Sequence, residues 1–86
     1  MNSTSEALQL QIHERLAELQ TLRDEIRVRI HLAGVEVKDA WDRLEPQIAG
    51  AEMMASFETS PAARSLLERV LQKTSRVHER LIPKAS

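Results

Sequence analysis

Apolar residues recur at steps of three and four through the first half of the chain: Leu8, Ile12, Leu16, Leu19, Leu22, Ile26, Ile30, Ala33, Val37, Trp41, Leu44 and Ile48. The steps span 40 residues at about 3.64 residues each, close to the α-helical period. Ser3, followed three residues later by Glu6, has the form of a capping box ahead of this stripe. The pattern predicts a first helix over about residues 4–45. Pro46 disfavours helix at the residue before it and suits a first helical turn, so either the first helix ends near Glu45 and a short second helix follows over about 46–57, or one long helix kinks there; the separate short helix is the expectation. Thr59-Ser60-Pro61 combines a cap with a proline at the first helical position. A third helix follows over about 61–82, with the stripe Ala63, Leu66, Leu67, Val70, Thr74, Val77 and Leu81, and Pro83 ends it. The expected fold is all-α, a single small domain over residues 1–86 built as a helical hairpin and completed by dimerisation.

The segment Ile26-Arg27-Val28-Arg29-Ile30-His31-Leu32 also alternates apolar and polar residues, which is a strand pattern rich in β-branched side chains. Ala33-Gly34 would then be a turn and Val35-Glu36-Val37 a second strand. Ala-Gly is a poor hairpin turn, the second strand would be short, and the helical stripe crosses the segment in phase. Helix is therefore the preferred reading. In a helix, Val28, Leu32 and Val35 fall on the face opposite Ile26, Ile30, Ala33 and Val37. A helix apolar on two sides is sandwiched between partners. Gly34 is either a tolerated helix glycine or a close crossing point for another helix.

Helix length then decides the architecture. A first helix of roughly 60 Å cannot be covered by a third helix of roughly 33 Å. The uncovered part still bears Leu8, Ile12, Leu16 and Leu19, a larger apolar patch than monomers tolerate. Antiparallel pairing of two copies would cover it. The expected seam contains Leu8, Ile12, Leu16, Leu19, Ile26, Ile30, Val37, Trp41, Leu44, Val70 and Val77, with Val28, Leu32 and Val35 as a second contact face. Trp41 suits a buried anchor against Phe57 or helix 3, or an interface hot spot. Met53 and Met54 beside Phe57 read as adaptable core packing in preference to a binding groove.

Composition supports self-association. Eighty-six residues enclose a small core, and the absence of cysteine removes both a disulfide staple and a thiolate metal site. The N-terminus has no basic start followed by an apolar run, and no apolar stretch is long enough to cross a bilayer. A cytoplasmic location is the expectation. The net charge of −1 hides an uneven distribution. Residues 1–25 carry Arg15 and Arg23 against Glu6, Glu14, Glu18, Asp24 and Glu25, whereas residues 61–86 carry six basic groups against Glu68 and Glu79.

Material for catalysis is scarce. His13, His31 and His78 form no HExxH or ExxH motif, and each reads as a packing or surface residue. Of these, His31 beside Leu32 is the one that self-association could turn into a pH-sensitive contact. Gly34 and Gly50 are isolated, so no glycine loop cradles a phosphate. No catalytic, metal or cofactor-binding residue is expected, and the chain is expected not to be an enzyme. Arg69, Lys73, Arg76, Arg80 and Lys84 recur along one face of helix 3. This face is a candidate for phosphates of nucleic acid or an anionic membrane surface. The plainer alternative is a solvated face that meets acidic residues of helix 1 such as Glu14 and Glu18. A pI near 6.3 and the lack of an aromatic platform favour the plainer alternative. The leading expectation is thus a non-catalytic homodimeric scaffold or adaptor. A small regulator that binds nucleic acid, or membrane, through helix 3 is the alternative.

Overall fold

The computed structural model describes residues 3–81, with side chains from residue 6 onward. All its regular structure is helical. Helix α1 spans Ser3–Arg29, α2 spans Val35–Phe57 and α3 spans Pro61–Leu81. The Ser3 cap, Pro83 and Lys84 involve side chains outside the described residues.

The first helix is not a continuous rod to residue 45. At Ile30–Leu32 it tightens into one 3₁₀ turn, and Ala33 and Gly34 then adopt extended conformations (ψ 159° and 171°) that reverse the chain. The stripe kept its phase across this break because a 3₁₀ turn advances a face every three residues, close to the helical step. Neither strand of the alternative reading forms. Gly34 has φ −73°, a value open to any residue, and a Cβ there would meet nothing within 4 Å. It is therefore not a close crossing point within the chain; it occupies the N-cap of α2.

Pro46, expected to start a separate helix, lies inside α2. It is exposed, as is Asp42, whose carbonyl loses its usual i+4 donor to the proline ring. Water can satisfy that carbonyl, which explains how the helix tolerates the residue. At the next junction the sequence pattern holds. The Ala63 N–H donates to Ser60 Oγ (3.1 Å), the Arg64 N–H donates to the Ser60 carbonyl (3.1 Å), and Pro61 opens α3 where no donor is needed.

Cross-helix pairs define the packing directions. Arg27–Glu45 and Arg23–Glu52 join α1 to α2 in antiparallel sense. Gln11–Arg64 and Glu25–His78 join α1 to α3 at a constant offset of 53 residues, so these helices are parallel. Helix α3 packs along both others, and α1 and α2 touch each other much less. The Arg23–Glu52 pair, at 2.8 Å and mostly buried, bridges them instead. The bundle measures 50 × 28 × 17 Å.

Each helix presents its own 3–4 stripe to the shared core. The buried residues are Ile12, Leu19 and Ile26 on α1; Trp41, Leu44, Ile48 and Ala51 on α2; and Ala63, Leu67, Val70, Thr74 and Val77 on α3. They recur every seven residues on α1 and at alternating steps of three and four on α2 and α3, the heptad-like repeat of bundled helices. Thr74 is the one polar member, and its hydroxyl donates to the Val70 carbonyl at 2.8 Å. No helix among the described residues is long and apolar enough to cross a membrane.

Candidate functional site

The residues expected at a dimer seam divide into two groups. Ile12, Leu19, Ile26 and Trp41 are buried within the chain, and Leu8, Leu16, Ile30 and Val37 pack half-buried against the same core. The reason for assigning them to a partner was an uncovered length of rod. Three helices of comparable length remove that reason, because α2 folds back and α3 fills the groove between α1 and α2. Leu44, Val70 and Val77 likewise belong to the internal core.

Val28, Leu32 and Val35 behave differently. They are 70%, 79% and 74% exposed at the α1–α2 corner. Two further apolar side chains project into solvent at the other end of α2: Met53 (63%) and Phe57 (83%). The expectation of core packing for this pair is therefore corrected; Met54 alone of the three packs against the core. The buried stripe of α2 runs through Trp41, Leu44, Ile48 and Ala51, and positions 53 and 57 lie about half a turn away from it. Nor does Phe57 pack on Trp41, since it stands more than four turns along the same helix.

Val35, Pro46, Met53 and Phe57 share this outward face of α2. Gly50 and Ala49 lie on it as well and are exposed. Between Pro46 and Phe57 the single charged residue is Glu52, which turns aside to Arg23. For a chain in which 29% of residues are charged, an exposed helix half of this kind is an evident anomaly. Sequence reading missed it because Met53 and Met54 beside Phe57 read as core packing. The signal was present in the 3–4 spacing of Trp41, Leu44, Ile48 and Ala51, which by itself puts Met53 and Phe57 outside.

The basic residues of α3 form a second surface. Arg69, Lys73, Arg76 and Arg80 are all exposed. Lys73 Nζ donates to Gln47 Oε1 on α2 (3.2 Å), and Arg76 and Arg80 flank an open cleft against Ala40 of α2. Helix α1 occupies the opposite edge of α3. There Arg64 Nη1 donates to Gln11 Oε1 (2.7 Å), Arg15 approaches Glu68 Oε2 (3.8 Å), and His78 Nε2 lies 3.2 Å from Glu25 Oε2. Glu14 and Glu18 thus do not meet the basic face, contrary to the plainer sequence reading; Glu18 pairs with Arg15 on its own helix. Among the described residues, no carboxylate lies within ion-pair distance of Arg69, Lys73, Arg76 or Arg80.

His13 and His31 are exposed, and His78 is half-buried. No cluster of three or more histidine, aspartate or glutamate side chains suited to a metal occurs among the described residues. No family model, curated protein or solved structure matches this chain.

Proposed function

We propose that this chain is a non-catalytic helical assembly module, a scaffold or adaptor that works as a homodimer. The observation that carries this reading is the exposure of Val35, Met53 and Phe57 on the outward face of α2, with Leu32 and Val28 also exposed at the corner that precedes it. Each side chain would gain roughly 1.5–3 kcal/mol from full burial.

The spacing of these residues suits a two-fold pairing of α2 with α2 of a second copy, running antiparallel. With the axis near Pro46, Val35 of one copy stands opposite Phe57 of the other. The small residues Ala49 and Gly50 lie close to the crossing, where they let two backbones approach. Asp39 and Asp42, one and two turns after Val35 on the same exposed face, are its polar positions. A stable dimer buries about 800 Å² per partner. The chain exposes 5964 Å² in all, so such a face would cover a substantial part of one side.

Analytical ultracentrifugation of the intact chain and of Val35→Asp/Phe57→Asp tests this. Both substituted side chains are exposed, so the helical circular dichroism should persist. The intact chain should sediment at twice its 9.8 kDa mass at micromolar concentration, and the variant at 9.8 kDa. An intact chain that stays at 9.8 kDa at 100-fold higher concentration would end the reading.

A further inference from the structure

The basic edge of the α2–α3 layer is a separate surface from the outward face of α2. We infer that Arg43, Arg69, Lys73, Arg76 and Arg80 form a binding edge for the phosphate backbone of duplex DNA. Arg43 joins the α3 residues because it lies on α2 between Ala40 and Gln47, the two positions that face the α3 ridge. All five are exposed and have no carboxylate within ion-pair distance among the described residues. Glu79 lines the cleft beside Arg76 and Arg80, and on α2 Glu36 lies one turn before Ala40 and Asp39 one turn before Arg43.

The net charge of −1 does not describe this edge. The acidic residues of α1 lie beyond α3, and exposed charges farther apart than the Debye length of about 8 Å are largely screened from one another at physiological salt. Arg69 to Arg80 covers about 16 Å of helix axis. The major groove of B-form DNA is about 12 Å wide, so a ridge of this length laid across it reaches phosphates on both sides. The deep, narrow major groove of A-form RNA does not admit a helix edge in that way.

Two other polyanions fit less well. Membrane attachment by a basic helix needs an apolar face to enter the lipid boundary. That face of α3 is already filled by Ala63, Leu67, Val70, Thr74 and Val77 in the core. Single-stranded nucleic acid favours aromatic platforms for base stacking. Trp41 is buried, and Phe57 lies at the end of α2 away from Arg76 and Arg80.

The test is fluorescence anisotropy with a labelled 20-bp duplex DNA of mixed sequence, titrated with the full chain between 20 and 200 mM NaCl. With four to five phosphate contacts, log K should fall against log salt with a slope of about −4. Arg69→Gln/Arg76→Gln should weaken binding about tenfold at 50 mM NaCl and reduce the slope by about 2. Arg15→Gln/Arg64→Gln removes the same charge on the α1 side of α3, away from the edge, and should leave the slope unchanged. Circular dichroism confirms that every variant is folded. Absence of binding at 20 mM NaCl, or equal losses in both double variants, would overturn the assignment. So would tighter binding to a 20-bp duplex RNA, or retention on phosphatidylglycerol vesicles without duplex binding. Dissociation of a dimer by Arg69→Gln/Arg76→Gln in a chain that ignores DNA would assign the edge to a second copy and equally overturn it. The dimerisation reading is tested separately, since its variants lie on a different face.

Discussion

Leu19 is fully enclosed, and its surroundings come from the chain's own helices. Leu19→Ala should therefore lower the unfolding free energy by about 3 kcal/mol in urea denaturation, whatever the state of association. Leu19 is for that reason a stability position, and a charge placed there would unfold the chain before reporting on assembly. Gly50 shows the opposite balance. It lies in the interior of α2 at an ordinary helical conformation, and a Cβ would enter open space. Gly50→Ala should raise the stability of the monomer by about 1 kcal/mol, because the glycine loses more backbone entropy on folding. In the dimer the same substitution should weaken association if backbones cross there. A dilution series of thermal melts separates the two effects. Ser60 reads the same in sequence and structure: its cap is local, and Ser60→Ala should cost about 1 kcal/mol.

Two breaks at the level of elements had similar local signals and opposite outcomes. Pro46 looked like a boundary because its ring removes an N–H, yet Asp42, whose carbonyl loses that donor, is an exposed residue and α2 continues through it. Pro46→Ala should stabilise the fold by about 2 kcal/mol in chemical denaturation, the helix-interior gain less the entropy regained by the unfolded chain. Ala33-Gly34 looked weak because the apolar stripe passes over it in phase. The chain reverses there all the same, through one 3₁₀ turn and two extended residues. The alternation from Ile26 to Leu32 marked the place, but its period pointed to strands. Helical content and the Ser60-Pro61 start of α3 were legible because they depend on neighbours in sequence. The choice between a kink and a reversal was not, since it depends on which face later meets α3. Val28, Leu32 and Val35 could be read as a second apolar face from spacing alone, and they are exposed in the structure. Met53 and Phe57 were obscured by the supposed boundary at Pro46.

At the scale of the whole molecule, reversal at residues 33–34 changes what a partner is needed for. A straight rod would need a second chain to cover its core stripe. A folded-back chain covers that stripe itself, which leaves the outward face of α2 and the basic α2–α3 edge as the exposed surfaces on which the two proposals rest. The reversal can be measured directly, because the chain has no cysteine to compete with introduced ones. His13 and Ser56 border the same cleft between α1 and α2. Nitroxide labels at His13→Cys and Ser56→Cys, diluted with excess unlabelled chain, report their separation by pulsed electron–electron double resonance. Neighbouring helix axes lie about 8–10 Å apart, so with the label arms the separation should be about 20–25 Å. A separation of roughly 65 Å, the span of a continuous helix over these residues, would contradict the account.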